Sequence, residues 1–238
     1  MKSVIAIIPA RGGSKGIHKK NIRKFAGKPL IIHTIHAAKR SKNIQHTIVT
    51  TDDTEIADIT GKEDVIMVLR PPEFATDISP TIDAVLHSIQ EIKKQSIYPD
   101  VVILLQPTSP LRTSEDIDNA LSLYQNGNCD SVISVTPVPH PPYWDMIIDE
   151  PYLKPIFNPE CLLKRRQDLP TAYMPNGAIY ISSLDYLKKE RSFYGERVIP
   201  YVMPANRSID IDSETDLLLG ELIIQREKIS NETNADCK

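Results

Sequence analysis

Over the first half of the chain, short wholly apolar runs alternate with stretches whose apolar residues recur every three or four positions. Val4–Ile8 is a continuous apolar run, too short for a helix of ordinary length, and reads as a buried strand. Pro29 suits the first turn of a helix, and Leu30, Ile31, Thr34, Ile35 and Ala38 follow at helical spacing. Thr47–Thr50 and Val65–Leu69 read as further strands. Pro80 begins a second helix with Ile82, Val85, Leu86 and Ile89 on one face. Val101–Leu105 is the clearest buried strand. Thr113 and Asp116 then have the spacing of a capping box, predicting a helix to about Tyr124. Ser131–Val135 is strand again.

Strand and helix alternating in this way predict an α/β fold, a mostly parallel sheet with helices on both faces. In such sheets ligands sit at the carboxyl ends of the strands. The polar loops Ala10–Asn21, Thr51–Asp53, Arg70–Thr81 and Gln106–Arg112 all fall there. Regularity stops in residues 137–175, which hold nine of the 19 prolines. Proline is hostile to long helices and central strands. Yet Tyr143, Trp144, Ile147, Ile156, Phe157 and Leu162 need burial, so this stretch predicts an inserted lobe rather than a linker. Alternation resumes at Ala178–Ile181 and Val198–Val202. A last helix is expected from Ser213, its cap, to about Gln225, with residues 229–238 as a frayed polar tail. The whole reads as a single domain, 1–238, carrying one lobe.

Composition adds a compartment and a charge asymmetry. With 238 residues and 41% hydrophobic content the chain can bury one substantial core. No apolar run approaches the roughly 20 residues that cross a bilayer. Cys129, Cys161 and Cys237 are scattered and odd in number, which suggests neither a disulfide framework nor a zinc site and makes a cytoplasmic setting the expectation. The net charge is -3, but residues 1–51 hold 11 of the 28 bases and not one acid. Seven of those 11 lie between Arg11 and Lys28. A nucleic-acid binder spreads its charge over a larger surface, whereas a small polyphosphate fits this concentration.

Three strings carry chemistry. Ala10-Arg11-Gly12-Gly13-Ser14-Lys15-Gly16, followed by Lys19-Lys20-Asn21, leaves a buried strand and offers backbone amides, a planar guanidinium and point charges to phosphate oxygens. It is neither the ATPase phosphate loop nor the dinucleotide fingerprint, whose spacings it lacks. Gln106–Arg112 puts polar groups at the end of the best buried strand. Asp210 and Asp212, at i and i+2 on an extended segment, point the same way and suit Mg²⁺ shared with substrate phosphates. The histidines His18, His33 and His140 form no convincing metal or catalytic set.

Six strings, "IPARGGSKGIHKKNI", "GKPLI", "LRPPEFATDISPT", "LLQPTSPLR", "PNGAIYI" and "SIDIDSETDL", run in order over roughly residues 4–220. Together they resemble the sialic acid (N-acylneuraminate) cytidylyltransferase family. The resemblance implies a nucleotide-diphospho-sugar transferase-like, Rossmann-like fold and a homodimer whose inserted lobe reaches the partner's site. It implies transfer of CMP from CTP to the anomeric hydroxyl of an acidic nine-carbon sugar, with release of pyrophosphate. Ala10, Arg11, Gly12, Ser14, Lys20, Asn21, Arg70, Ser79 and Thr81 would then bind the nucleotide. Gln106, Arg166, Asn176 and Tyr180 would face the sugar. Asp210 and Asp212 would hold Mg²⁺ or Mn²⁺, and with Arg11 and Lys20 they would form the catalytic set. No His or Glu is marked as a general base.

One position departs from the family pattern. Neuraminate-specific relatives commonly carry Arg directly before "PNGAIY", where this chain has Met174. A thioether cannot replace a bidentate cation, so legionaminic, pseudaminic and octulosonic acids stand as alternative substrates. A non-catalytic binding relative is the reading from another class. Retention of Arg11, Lys20, Asp210 and Asp212 counts against it.

Overall fold

The structure is a computed structural model that describes residues 2–14, 16–76 and 78–235, with side chains through Glu227 in the last helix. Lys15 and Cys237, singled out above, lie outside the described residues.

The chain opens with β1 (Val4–Pro9), then the small antiparallel pair β2 (Lys24–Phe25) and β3 (Lys28–Pro29), and α1 (Leu30–Arg40). It continues through β4 (His46–Thr51), α2 (Thr54–Thr60), β5 (Ile66–Leu69), α3 (Thr81–Lys93) and β6 (Val101–Leu104). Next come α4 (Ser114–Asn126), β7 (Ser131–Pro137) and a hairpin of β8 (Met146–Asp149) and β9 (Tyr152–Pro155). The last elements are β10 (Tyr173–Ser183), α5 (Leu184–Glu190), β11 (Val198–Val202) and α6 (Glu214–Ala235).

Seven strands form one sheet in the order β11-β7-β10-β6-β1-β4-β5. All run parallel except β10, which is antiparallel to both β6 and β7. The period of two along β1 sorts its side chains onto two cores. Val4, Ala6 and Ile8 pack with Ile31 and Ile35 of α1, Ile56 of α2 and Ile117 and Leu121 of α4. Ile5 and Ile7 pack with Val85, Ile89 and Ile92 of α3 and Leu184 and Leu187 of α5. Helices therefore cover both faces, as the alternation predicts.

The expected helix starts are present: Pro29 and Pro80 cap α1 and α3, and Thr113 with Asp116 forms the capping box of α4. Two short helices were not foreseen. α2 begins at Asp53, whose carboxylate accepts from the amides of Glu55 and Ile56, and α5 begins at Ser183, whose hydroxyl accepts from Tyr186. Each spans only seven residues, too few for an apolar period to show. α6 continues to Ala235 instead of stopping near Gln225, since neither Gly nor Pro follows to end it. Its helical backbone thus takes up most of the stretch expected to be frayed; residues 236–238 lie outside the described residues.

Of the lobe expected over residues 137–175, Pro137 and residues 173–175 belong to β7 and β10; residues 138–172 leave the sheet and hold more order than their prolines suggest. Three 3₁₀ turns flank the β8–β9 hairpin. Trp144 is only partly buried and donates from Nε1 to the Cys161 carbonyl, and Tyr143 packs against Phe157 at 5.5 Å between centroids. The burial expected for the lobe's apolar residues is incomplete within the chain. Ile147, Ile148, Tyr152, Leu153, Ile156, Phe157 and Leu163 are all exposed, because a two-stranded ribbon has no second layer to cover it.

Candidate active site

A cleft of about 440 Å³ opens at the carboxyl edge of the sheet. Its walls are the loops after β1, β5 and β6 and the segment before α6, so residues far apart in sequence meet there. Arg11, Ser14, Gly16, Lys20 and Asn21 come from the first loop, and Arg70, Phe74, Ser79 and Thr81 from the exit of β5 and the start of α3. Gln106, Pro107 and Thr108 follow β6, while Asp210 and Asp212 close the opposite rim.

The first loop is built by close approach. A Cβ on Gly16 would overlap the carbonyl oxygen of Asp212, and one on Gly12 would overlap the Asp53 carboxylate. Glycine is the residue that lets the backbone come this near. Asn21 is buried and donates from Nδ2 to the Arg11 carbonyl at 2.8 Å, which staples the loop across its mouth. Lys20 reaches over the cleft to Asp212, Nζ to Oδ1 at 2.6 Å.

Arg70 is buried at the cleft wall, with Nη2 3.5 Å from Asp52. Burial pulls its pKa below the ordinary arginine value, Asp52 opposes that shift, and the charge of Arg11 adds to it. Its Nε has no protein partner. Asp210 behaves in the opposite sense. Desolvation raises its pKa first, the charges of Asp212 and Asp216 add, and a hydrogen bond from Thr108 and the charge of Lys20 counter them. Burial is thus the main influence on the Asp210 carboxyl. Two carboxylates with a hydroxyl beside them form the hard oxygen donor set that suits Mg²⁺ shared with phosphates. Among the described residues no group of three or more His, Cys, Asp or Glu gathers as a metal site.

Not every expected residue lines the cleft. Ala10 is buried and its amide donates to the Thr50 carbonyl, so the residue belongs to the sheet rather than to a phosphate cradle. The Gly12 amide donates to Asp52 at 3.2 Å, so it too is engaged within the protein. Asn176 is buried, accepting from Ser134 and the Ala178 amide and donating to Ser208 and the Met203 sulfur. Its amide ties β7 and β10 to the start of the Asp210 segment instead of turning outward. Tyr180 lies in the second core against Phe193, with Tyr194 and Asp210 nearby; burial raises its pKa. Arg166 is exposed on the lobe and does not line this chain's own cleft. Gln106 does line it, in space left by Gly177, whose φ of +72° also allows the chain to turn within β10.

The sequence reading missed Phe74, Thr76 and Thr108, although all three stand inside the quoted strings. It also missed Asp52, the partner of Arg70 and Gly12, which sat in a loop already assigned to the ligand edge.

The site places cationic side chains on one wall of the cleft facing a carboxylate rim. The solved structure of CMP:2-keto-3-deoxy-manno-octonic acid synthetase complexed with CTP superposes with a TM-score of 0.71 at 16% identity, covering 94% of this chain and 99% of that one. At that identity the likeness establishes the fold.

The chain belongs to the cytidylyltransferase family, whose model matches residues 5–226. CMP-N,N'-diacetyllegionaminic acid synthase of Legionella pneumophila is 36% identical over 231 residues, 93% of this chain and 96% of that protein. N-acylneuraminate cytidylyltransferase of Escherichia coli is 36% identical over 226 residues, 94% of this chain, and this chain spans about half of its length, 52%. Pseudaminic acid cytidylyltransferase of Campylobacter jejuni is 28% identical over 92% of this chain and 95% of its own.

Proposed function

We propose that the chain transfers CMP from CTP to the anomeric hydroxyl of a nonulosonic, sialic-type acid and releases pyrophosphate. The observation that carries this reading is the convergence of Arg11, Lys20 and Arg70 with Asp210 and Asp212 on one cleft. The hydroxyl oxygen bonds to the α-phosphorus and gives its proton to water, the bond to the bridging α–β oxygen breaks, and pyrophosphate leaves with that electron pair. Positioning and neutralisation of developing charge dominate such transfers. Arg11 and Lys20 offset the charge of the triphosphate, and the Arg70–Thr81 wall holds the base. Asp210 and Asp212 would hold Mg²⁺, or Mn²⁺ in its place, which when bound supplies charge neutralisation to the phosphate oxygens. The lining contains no His or Glu among the described residues.

A legionaminic-type sugar is favoured over N-acetylneuraminate. Met174 is half-exposed on β10, opposite Thr136, where neuraminate-specific relatives commonly have Arg. A deoxy terminus suits an apolar wall, because burying a hydroxyl without a partner costs about 1–3 kcal/mol, roughly 10–150-fold in preference. The working unit is a homodimer joined through the lobe, which would bring Arg166 of one chain to the sugar of the other. The free Cys129 and Cys161 suit a cytoplasmic setting, and no helix among the described residues is long and apolar enough to cross a membrane.

Pyrophosphate release measured with each of CTP, UTP, ATP and GTP, against a panel of nonulosonic acids and an octulosonate, tests the reading. CTP alone should support turnover, with a higher kcat/KM for a 9-deoxy nonulosonate than for N-acetylneuraminate. Comparable rates with all four nucleotides would sink the cytidine assignment. Equal or better efficiency with N-acetylneuraminate would end the deoxy-sugar preference.

A further inference from the structure

The segment that carries Asp210 and Asp212 is not a strand, so no ladder of hydrogen bonds holds it. Besides its contacts with Lys20 and Thr108 in the cleft, it is held by groups outside it. Asp116, at the third position of α4, is 1% exposed and gathers five hydrogen bonds on its carboxylate. The amide and hydroxyl of Thr113 donate to Oδ2, completing the helix cap. The Tyr201 hydroxyl donates to Oδ1 at 2.9 Å. Arg207 donates from Nε to Oδ2 at 3.0 Å and from Nη2 to Oδ1 at 2.8 Å, a two-pronged fork.

Both ends of this contact lead to the cleft. On the Asp116 side, the cap follows directly on Arg112, which is fully buried and donates to the Ala178 and Gln106 carbonyls and to Thr34. The start of α4 is thus fixed to the loop bearing Gln106 and Thr108. On the other side, Arg207 immediately precedes Ser208 and stands three residues before Asp210. Ile211 then donates its amide to the Thr108 carbonyl at 2.8 Å, and the amides of Asp212 and Ser213 donate to Asp216. The carboxylate segment is held at one end by Asp116 and at the other by Asp216.

We infer that Asp116 and Arg207 form a positioning pair that sets where Asp210 and Asp212 stand relative to the Gln106–Thr108 loop. A guanidinium fork on a carboxylate fixes a plane as well as a distance, and an ammonium fixes only a distance. The orientation of α4 is therefore passed to the segment through Arg207. The inference rests on the proposed role of Asp210 and Asp212 as holders of a divalent cation. A merely structural ion pair would affect stability without altering that role.

Arg207→Lys separates the two, since it keeps the charge and loses the fork, and Arg207 is partly exposed, so the change creates no sealed cavity. The measurement is Mn²⁺ binding in the presence of CTP, followed by the electron paramagnetic signal of the free ion, alongside steady-state kinetics and thermal melting. Residues supporting a metal site from outside its ligand shell change affinity by about 10–100-fold. We expect a folded Arg207→Lys protein with Mn²⁺ affinity weaker by about tenfold or more and a parallel fall in kcat. KM for CTP should stay within roughly threefold of the wild type, as none of its contacts has changed. Arg207→Gln, which keeps planarity and loses the charge, gives the same comparison if lysine is not tolerated. Wild-type Mn²⁺ affinity and kcat in a folded variant would overturn the inference. If the wild type releases no pyrophosphate from CTP, the activity reading falls and the Mn²⁺ ratio alone decides the pair. If the wild type itself binds no Mn²⁺, the positioning role falls with the metal.

Discussion

Asp212 joins two demands on one side chain: it pairs with Lys20 and completes the carboxylate rim. Its side chain is largely in solvent, and an ion pair so exposed contributes at most about 1 kcal/mol to stability. Asp212→Asn should therefore leave the melting temperature within a few degrees of the wild type while lowering kcat by about 100-fold or more through loss of a cation ligand. Near-normal turnover at limiting Mg²⁺ would refute the cation role. Asp116 gives the contrasting case of a carboxylate whose value lies in stability as well as position. Burial acts to raise its pKa, but the hydrogen bonds from Arg207, Thr113 and Tyr201 outweigh it and leave the folded value below that of an ordinary aspartate. The folded state then binds this proton less tightly than the unfolded chain does. Stability from Asp116 is fully present above about pH 4 and is lost as pH falls through the lowered folded value. Urea unfolding of the wild type and Asp116→Asn should differ most near neutrality and converge toward pH 3. A gap that stays constant with pH would contradict the assignment.

At the scale of elements, what the sequence reveals depends on whether an element's reasons are local. β1, α1, α3 and β6 were readable because a continuous apolar run or a helical period lies within each one. Among the cleft residues, Arg11, Lys20, Arg70, Gln106, Asp210 and Asp212 were readable from chemistry at strand ends and from family resemblance together. Asn176 was not, because its fate is decided by Ser134 and Ser208, 42 and 32 residues away. Asp116 was read only as a helix cap, since its ties to Tyr201 and Arg207 span 85 and 91 residues. The β8–β9 hairpin was obscured by the surrounding prolines, and its apolar side chains leave a face that the chain itself does not cover. If a second copy covers that face, a charge there should prevent pairing, since burying an unpaired carboxylate is costly. The wild type should show the mass of two chains by light scattering at micromolar concentration, and Leu153→Asp, exposed and thus harmless to a single chain, the mass of one. A monomeric wild type would remove the dimer.

The whole molecule joins a sheet whose last strand ends at Val202 to a rim supplied by residues beyond 207. The Lys20–Asp212 contact spans 192 residues, and the Gly16 backbone abuts the Asp212 carbonyl. Contacts so distant in sequence form late, because their loop-closure entropy must be met before they return anything. In refolding from urea, far-UV circular dichroism should recover before Mn²⁺-dependent binding of CTP; simultaneous recovery would show that the rim docks with the sheet. The same separation has a consequence during synthesis. While residues beyond about 180 are still being added or lie inside the ribosome, the nascent chain can already present Arg11, Lys20 and Arg70 on a partly formed sheet. On the proposed roles of these residues, a nucleotide could be held at that stage but not converted, because the carboxylates have not emerged. With Asp210 and Asp212 in their proposed roles, turnover is reserved for chains that have been translated through that segment and have docked it.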